Sequence, residues 1–121
     1  MGRSYRELVA WRKAMSFVSA IYEATRLFPA DERYGLTNQL RRAAVSVPSN
    51  IAEGQARLSQ KEFHHFLSIA RGSMAEIETQ LLLAKDLQYL SAPKCAVLLT
   101  SADELGRILN GLIASIKSRA G

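Results

Sequence analysis

The 121-residue chain has one cysteine, three prolines, one tryptophan and two histidines, and only 7% of it is aromatic. A lone Cys95 excludes an internal disulfide and fits a reducing compartment. With no activating partner evident, it reads as a small residue near the start of a helix rather than a nucleophile. No apolar run approaches the ~18 residues that span a bilayer. Met1-Gly2-Arg3 leads into mixed polar sequence without the apolar core of a signal peptide. Tyr5-Arg6 departs from the myristoylation pattern. A soluble, cytoplasmic protein is therefore expected. Strand alternation, internal repeats and low-complexity segments are missing too, as are a glycine-rich phosphate loop and any Ser/His/Asp or Cys/His grouping. Glu62-x-x-His65 has the spacing of di-metal carboxylate bundles. Such sites need a second copy of the motif, and the only other histidine, His64, follows Lys61 at that spacing. Glu53 and Glu76 read as structural, with nothing marking an acid/base couple. Neither an enzyme, nor a metal, nor a cofactor is expected.

What is present is helical periodicity. Apolar residues make up 48% of the chain, enough for a single domain with its own core. Leu36, Leu40, Ala43, Ala44, Val47 and Ile51 recur at spacings of three and four, which places them on one helix face. Pro48 interrupts this stripe without ending it, so a kinked or loosened helix is expected there. Gly54 reads as the residue that closes the helix. Ser59 with Glu62 forms a capping box, and Phe63, Phe66, Leu67, Ala70, Met74, Ile77, Leu81 and Ala84 follow it at helical spacing. Ser4 with Glu7 is a second capping box, opening a first helix whose inward stripe reads Leu8, Trp11, Met15, Val18, Tyr22 and Thr25, with Ala14, Phe17 and Ile21 beside it. That helix ends near Leu27, because Pro29 disfavours helix at Phe28. Ser91 and Pro93 open a last helix carrying Leu98, Ala102, Leu105, Leu109, Leu112 and Ile116. The spacing predicts helices over about 5–27, 36–53, 60–87 and 92–118, and short connections make this an all-α, up-down-up-down antiparallel four-helix bundle.

The apolar faces are wider than one core needs. Ile69, Gly72, Leu83 and Leu87 form a second stripe on the third helix, and Val45 and Ala52 face away from the main stripe of the second. Two apolar faces call for two partners, and leaving several such side chains wet forgoes roughly 1.5–3 kcal/mol each. A homo-oligomer built through these six residues is expected.

The net charge is +5, unevenly spread. Residues 1–32 carry +1, residues 72–121 balance, and residues 33–71 set six basic against two acidic groups for +4. Basic side chains neutralise phosphate and release counterions, giving affinity without sequence reading. Arg41, Arg42, Arg57, Lys61 and Arg71 are the candidate phosphate contacts, with Arg12 and Lys13 next. The alternative is a protein–protein adaptor that makes no direct contact with nucleic acid.

A family resemblance rests on ordered matches from residue 8 to about residue 90. They are Leu8-Val9-x-Trp11-x-Lys13-Ala14, Phe28-Pro29-x-x-Glu32-x-Tyr34-Gly35-Leu36, Gln39-Leu40-Arg41-Arg42-Ala43-Ala44, Asn50-Ile51-Ala52-Glu53-Gly54 and Phe66-Leu67-x-Ile69-Ala70-x-Gly72-Ser73-x-x-Glu76. With these the chain resembles the four-helix-bundle family of bacterial 23S rRNA intervening-sequence proteins. That family is similar to the accessory variability determinant of diversity-generating retroelements. The resemblance implies a four-helix bundle, a pentamer, and RNA rather than DNA as the nucleic acid. It also implies a reverse transcriptase or another ribonucleoprotein component as a partner.

Overall fold

A computed structural model describes residues 4–120, and the side chains of 4–116. The described residues form four α-helices and no strand: α1 (Val9–Thr25), α2 (Leu36–Ala56), α3 (Gln60–Asp86) and α4 (Ala92–Ala120). Each helix packs on the next, and α4 returns to α1. The contacts give the sense of the α2–α3 pairing. Gln39 meets Gln80, Ser46 meets Ser73 and Gly54 meets Phe66, so α2 and α3 run in opposite directions. The core is largely apolar, with Ile21, Leu40, Val47, Ile51, Leu67, Ile77, Leu81, Leu105 and Leu109 buried and Thr25, Thr37 and Gln80 as its buried polar side chains.

The helices begin where the chemistry of their ends dictates. At α3 the Glu62 amide donates to Ser59 Oγ at 3.0 Å, satisfying one of the amides left open by a helix start. At α4 the Lys94 amide donates to Ser91 Oγ at 3.3 Å. The first capping box works differently from expectation. Ser4 Oγ accepts from the Arg6 amide and caps a single 3₁₀ turn, Tyr5–Glu7. Leu8 is then extended, and α1 starts only at Val9. The inward face of α1 also differs. Ala10, Ala14, Phe17, Ile21 and Thr25 are buried, Trp11 and Val18 are half-buried, and Met15 and Tyr22 are exposed.

Gly54 does not stop α2. The helix continues to Ala56 and passes unbroken through the buried Pro48. A Cβ on Gly54 would lie 2.8 Å from Phe66 Cβ and 3.0 Å from Phe63 Cδ1. This glycine serves close approach between α2 and α3, not a left-handed turn. The α3–α4 turn is instead closed by Gln88, at φ 65°.

Glu32 fastens the connection between α1 and α2. Its Oε1 accepts from the Leu36 amide at 2.8 Å, capping α2, and its Oε2 accepts from Tyr89 Oη at 2.9 Å. The Tyr89 ring also packs on Phe28, 5.7 Å between centroids. Gly35 leaves room for the carboxylate, since a Cβ there would sit 2.5 Å from Glu32 Oε1. The Leu36 amide and then the Tyr89 hydroxyl hold the Glu32 carboxyl below its ordinary range, and the same bond raises the Tyr89 phenol. A carboxyl depressed by folding stabilises the fold above its unfolded pKa, and this is lost as pH falls through the folded value. Glu32→Gln is therefore expected to melt below the wild type at neutral pH, with the gap closing as the pH falls below about 4. Thermal melts of both proteins across this range check it, and a gap of constant size would remove the ionised carboxylate from the account.

Candidate nucleic-acid interface

The seven predicted cations do not gather into one patch. Arg41 turns toward α1: its Nε donates to Thr25 Oγ1 at 2.8 Å, its Nη2 donates to the Tyr22 carbonyl at 3.4 Å, and its guanidinium lies 4.5 Å from the Tyr22 ring centroid. Arg41 thus clamps α2 to the end of α1. Arg57, just beyond α2, pairs with Glu53 at 2.7 Å and Glu62 at 3.6 Å and lies over the Phe66 ring. Arg12 donates to the Arg6 and Glu7 carbonyls and holds the first 3₁₀ turn. Lys13 pairs with Glu104 of α4 at 3.3 Å. These last contacts are largely exposed, where an ion pair contributes about 0–1 kcal/mol, so phosphate could compete for Arg57 and Lys13.

Arg42, Lys61 and Arg71 make no ion pair among the described residues. Arg42 lines a groove between α2 and α3 together with Gln39, Ser46, Ser73 and Glu76. Within that groove Ser46 Oγ donates to Ser73 Oγ at 2.6 Å, and Gln39 Oε1 accepts from Nε2 of the buried Gln80 at 3.3 Å. The buried Gln80 Oε1 accepts no hydrogen bond from the described residues. Arg71 lies in a different groove, between α3 and α4, beside Glu78, Asp103 and Arg107. Lys61 is exposed in the first turn of α3.

The predicted second faces are exposed, but they belong to two surfaces. Ile69, Leu83 and Leu87, between 40% and 53% exposed, lie on the flank of α3 toward α2, bordering Ser73 and Gln80. Gly72 sits beside them, with open space where a Cβ would be. Val45 is exposed and Ala52 half-buried. Both fall one and three turns beyond Arg41 on the flank of α2 nearest α1. No helix among the described residues is long and apolar enough to cross a membrane, and no cluster of three potential metal ligands occurs there.

The model of the 23S rRNA-intervening sequence protein family matches residues 6–111. The chain belongs to that family. A solved member of the S23 ribosomal protein family from Bacteroides thetaiotaomicron, described as of unknown function, shares its fold: the TM-score is 0.81 at 22% identity, covering 88% of this chain and 96% of that one. No curated protein matches the sequence. Two features of this intervening-sequence protein leave little trace in its sequence. One is the Glu32–Tyr89 bond, whose partners are 57 positions apart. The other is the open seam between α1 and α4, foreshadowed only by the small residues Ala20 and Ala24 one turn apart.

Proposed function

We propose that this intervening-sequence protein acts without catalysis, as a basic homo-oligomer of up-down-up-down bundles that holds RNA. Its membership of a family named for an rRNA insertion carries this reading, and the +4 surplus within residues 33–71 supports it. Because Arg42, Lys61 and Arg71 lie apart on one protomer, phosphate contacts add up only when subunits repeat them. Repetition converts weak single contacts into useful avidity. The exposed line of Ile69, Leu83 and Leu87 supplies an apolar seam for such an assembly, with five subunits as the resemblance has it.

Light scattering at low and high salt, with and without a generic structured RNA, tests both halves. The expected mass is a multiple of the 13.4 kDa protomer that rises with RNA at low salt. Log affinity should fall linearly with log salt, and replacing Arg42, Lys61 and Arg71 together by alanine should flatten that slope by roughly one unit for each phosphate no longer neutralised. An unchanged slope in a folded triple variant would sink the role of these three. Leu83→Asp should split the oligomer and keep its helicity.

A second reading is favoured by the engagement of Arg41, Arg57, Arg12 and Lys13 within the chain. Here the bundle is an adaptor for a protein component of a ribonucleoprotein, or for a reverse transcriptase. A stable multimer indifferent to RNA supports this reading over the first.

A further inference from the structure

A groove of about 690 Å³ opens between the second half of α1 and the first turns of α4, and neither the predicted cations nor the α3 apolar seam uses it. Its cause lies in the sequence. Ala20 and Ala24 occupy the flank of α1 that meets α4, where Leu or Ile would fill a bundle seam. Their two methyl groups leave unfilled a space that longer side chains would occupy in a close-packed seam. Leu90 and Leu98 are buried and form the floor, while Leu27 and Val97, 84% and 66% exposed, form the rim. Tyr89 supplies a wall whose ring is fixed by the bond to Glu32 and by Phe28. A wall already ordered leaves little to be frozen when a ligand arrives.

The charges on the lining are few and unequal. Glu23 and Arg26 satisfy each other at 3.0 Å. Lys94 makes no ion pair among the described residues, so the lining carries one uncompensated positive charge. We propose that this groove binds a small amphipathic anion, an apolar body bearing one carboxylate or similar group. The volume lies within the range of small-molecule sites, which combine apolar walls with a few placed polar groups. The apolar body covers Leu90, Leu98 and the Tyr89 ring, and the anion meets Lys94 at the mouth. A second anionic group would face Glu23 and be disfavoured.

Titration with the anionic dye 8-anilinonaphthalene-1-sulfonate, on the full chain in its native assembly, tests this. Saturable binding of one dye per chain is expected, displaced by decanoate. Ala24→Trp fills the groove and should abolish binding at unchanged solution mass. Val97→Glu, on a rim position that is 66% exposed, should weaken dye and decanoate alike. Lys94→Gln should weaken decanoate roughly fivefold, the scale of one exposed charge pair, and leave displacement by decanol unchanged. Absence of saturable binding to the wild type, or dye binding undiminished in both Ala24→Trp and Val97→Glu, overturns the proposal. So does equal weakening of decanoate and decanol by Lys94→Gln. A change of solution mass in Ala24→Trp also overturns it, because a second copy of the chain would then be what covers the groove.

Discussion

Gly54→Val is expected to lower the melting temperature by roughly 10 °C, equivalent to about 3 kcal/mol in a domain of this size. In an isolated helix the sign would be opposite, since glycine is about 1 kcal/mol worse than alanine in a helix interior. The packing of α3 reverses it. A first carbon at position 54 meets Phe66 Cβ at 2.8 Å and Phe63 Cδ1 at 3.0 Å. The Phe63 ring can rotate, but Phe66 Cβ is fixed to its backbone, so α2 and α3 must part along their length. The two γ-carbons of valine enlarge the clash. Gly72→Ala is the control: a Cβ there meets nothing within 4 Å, and the substitution should be neutral or stabilising by up to about 1 kcal/mol. Circular dichroism melts of the two variants separate the cases. If Gly54→Val melts with the wild type, close approach is not what this glycine provides.

Ile77→Asp is expected to abolish the cooperative melt altogether. Ile77 is fully buried on α3 among apolar neighbours. The substitution forgoes about 1.5–3 kcal/mol of apolar burial. It also places a charge where no partner waits, a penalty of several kcal/mol. Together these approach the 5–15 kcal/mol that holds a whole domain folded. Leu83→Asp, six residues further along α3 but half exposed, should retain its far-ultraviolet helical signal. A helical, cooperatively melting Ile77→Asp protein would mean that the line through Leu67, Ala70, Met74, Ile77 and Leu81 is not the core seam.

Helical periodicity carried most of the fold. The Leu36–Ile51 stripe and the line from Leu67 to Ala84 point inward as their spacing dictates, and so do Leu98, Ala102, Leu105, Leu109 and Ile116. On α1 the spacing placed the inward face partly off centre: Thr25 is buried and Leu8, Trp11 and Val18 border the core, but Met15 and Tyr22 lie outside it, because apolar residues surround much of that helix and two stripes satisfy the same period. The choice is made by a neighbour: Arg41 stacks on Tyr22 and leaves Phe17 and Ile21 to the core. Gly54 misleads for a related reason, since a glycine that ends a helix and one that admits a facing helix look alike along the chain. The candidate site was less legible still. Composition locates the basic residues, but what each one touches depends on partners far away in sequence. Arg41 reaches Thr25 across 16 positions, and Lys13 reaches Glu104 on the last helix. No local pattern encodes such pairings.

Cys95 gives the molecule a reporter of its own. Its thiol is buried where α4 first meets α3 and donates to the Leu81 carbonyl at 3.6 Å. A thiol-specific reagent can reach it only when the first turns of α4 lift from α3. Because no other cysteine exists in the chain, every labelling event is at this one position. Under native conditions, labelling faster than global unfolding allows clocks a local fluctuation at one end of the bundle, with no substitution introduced.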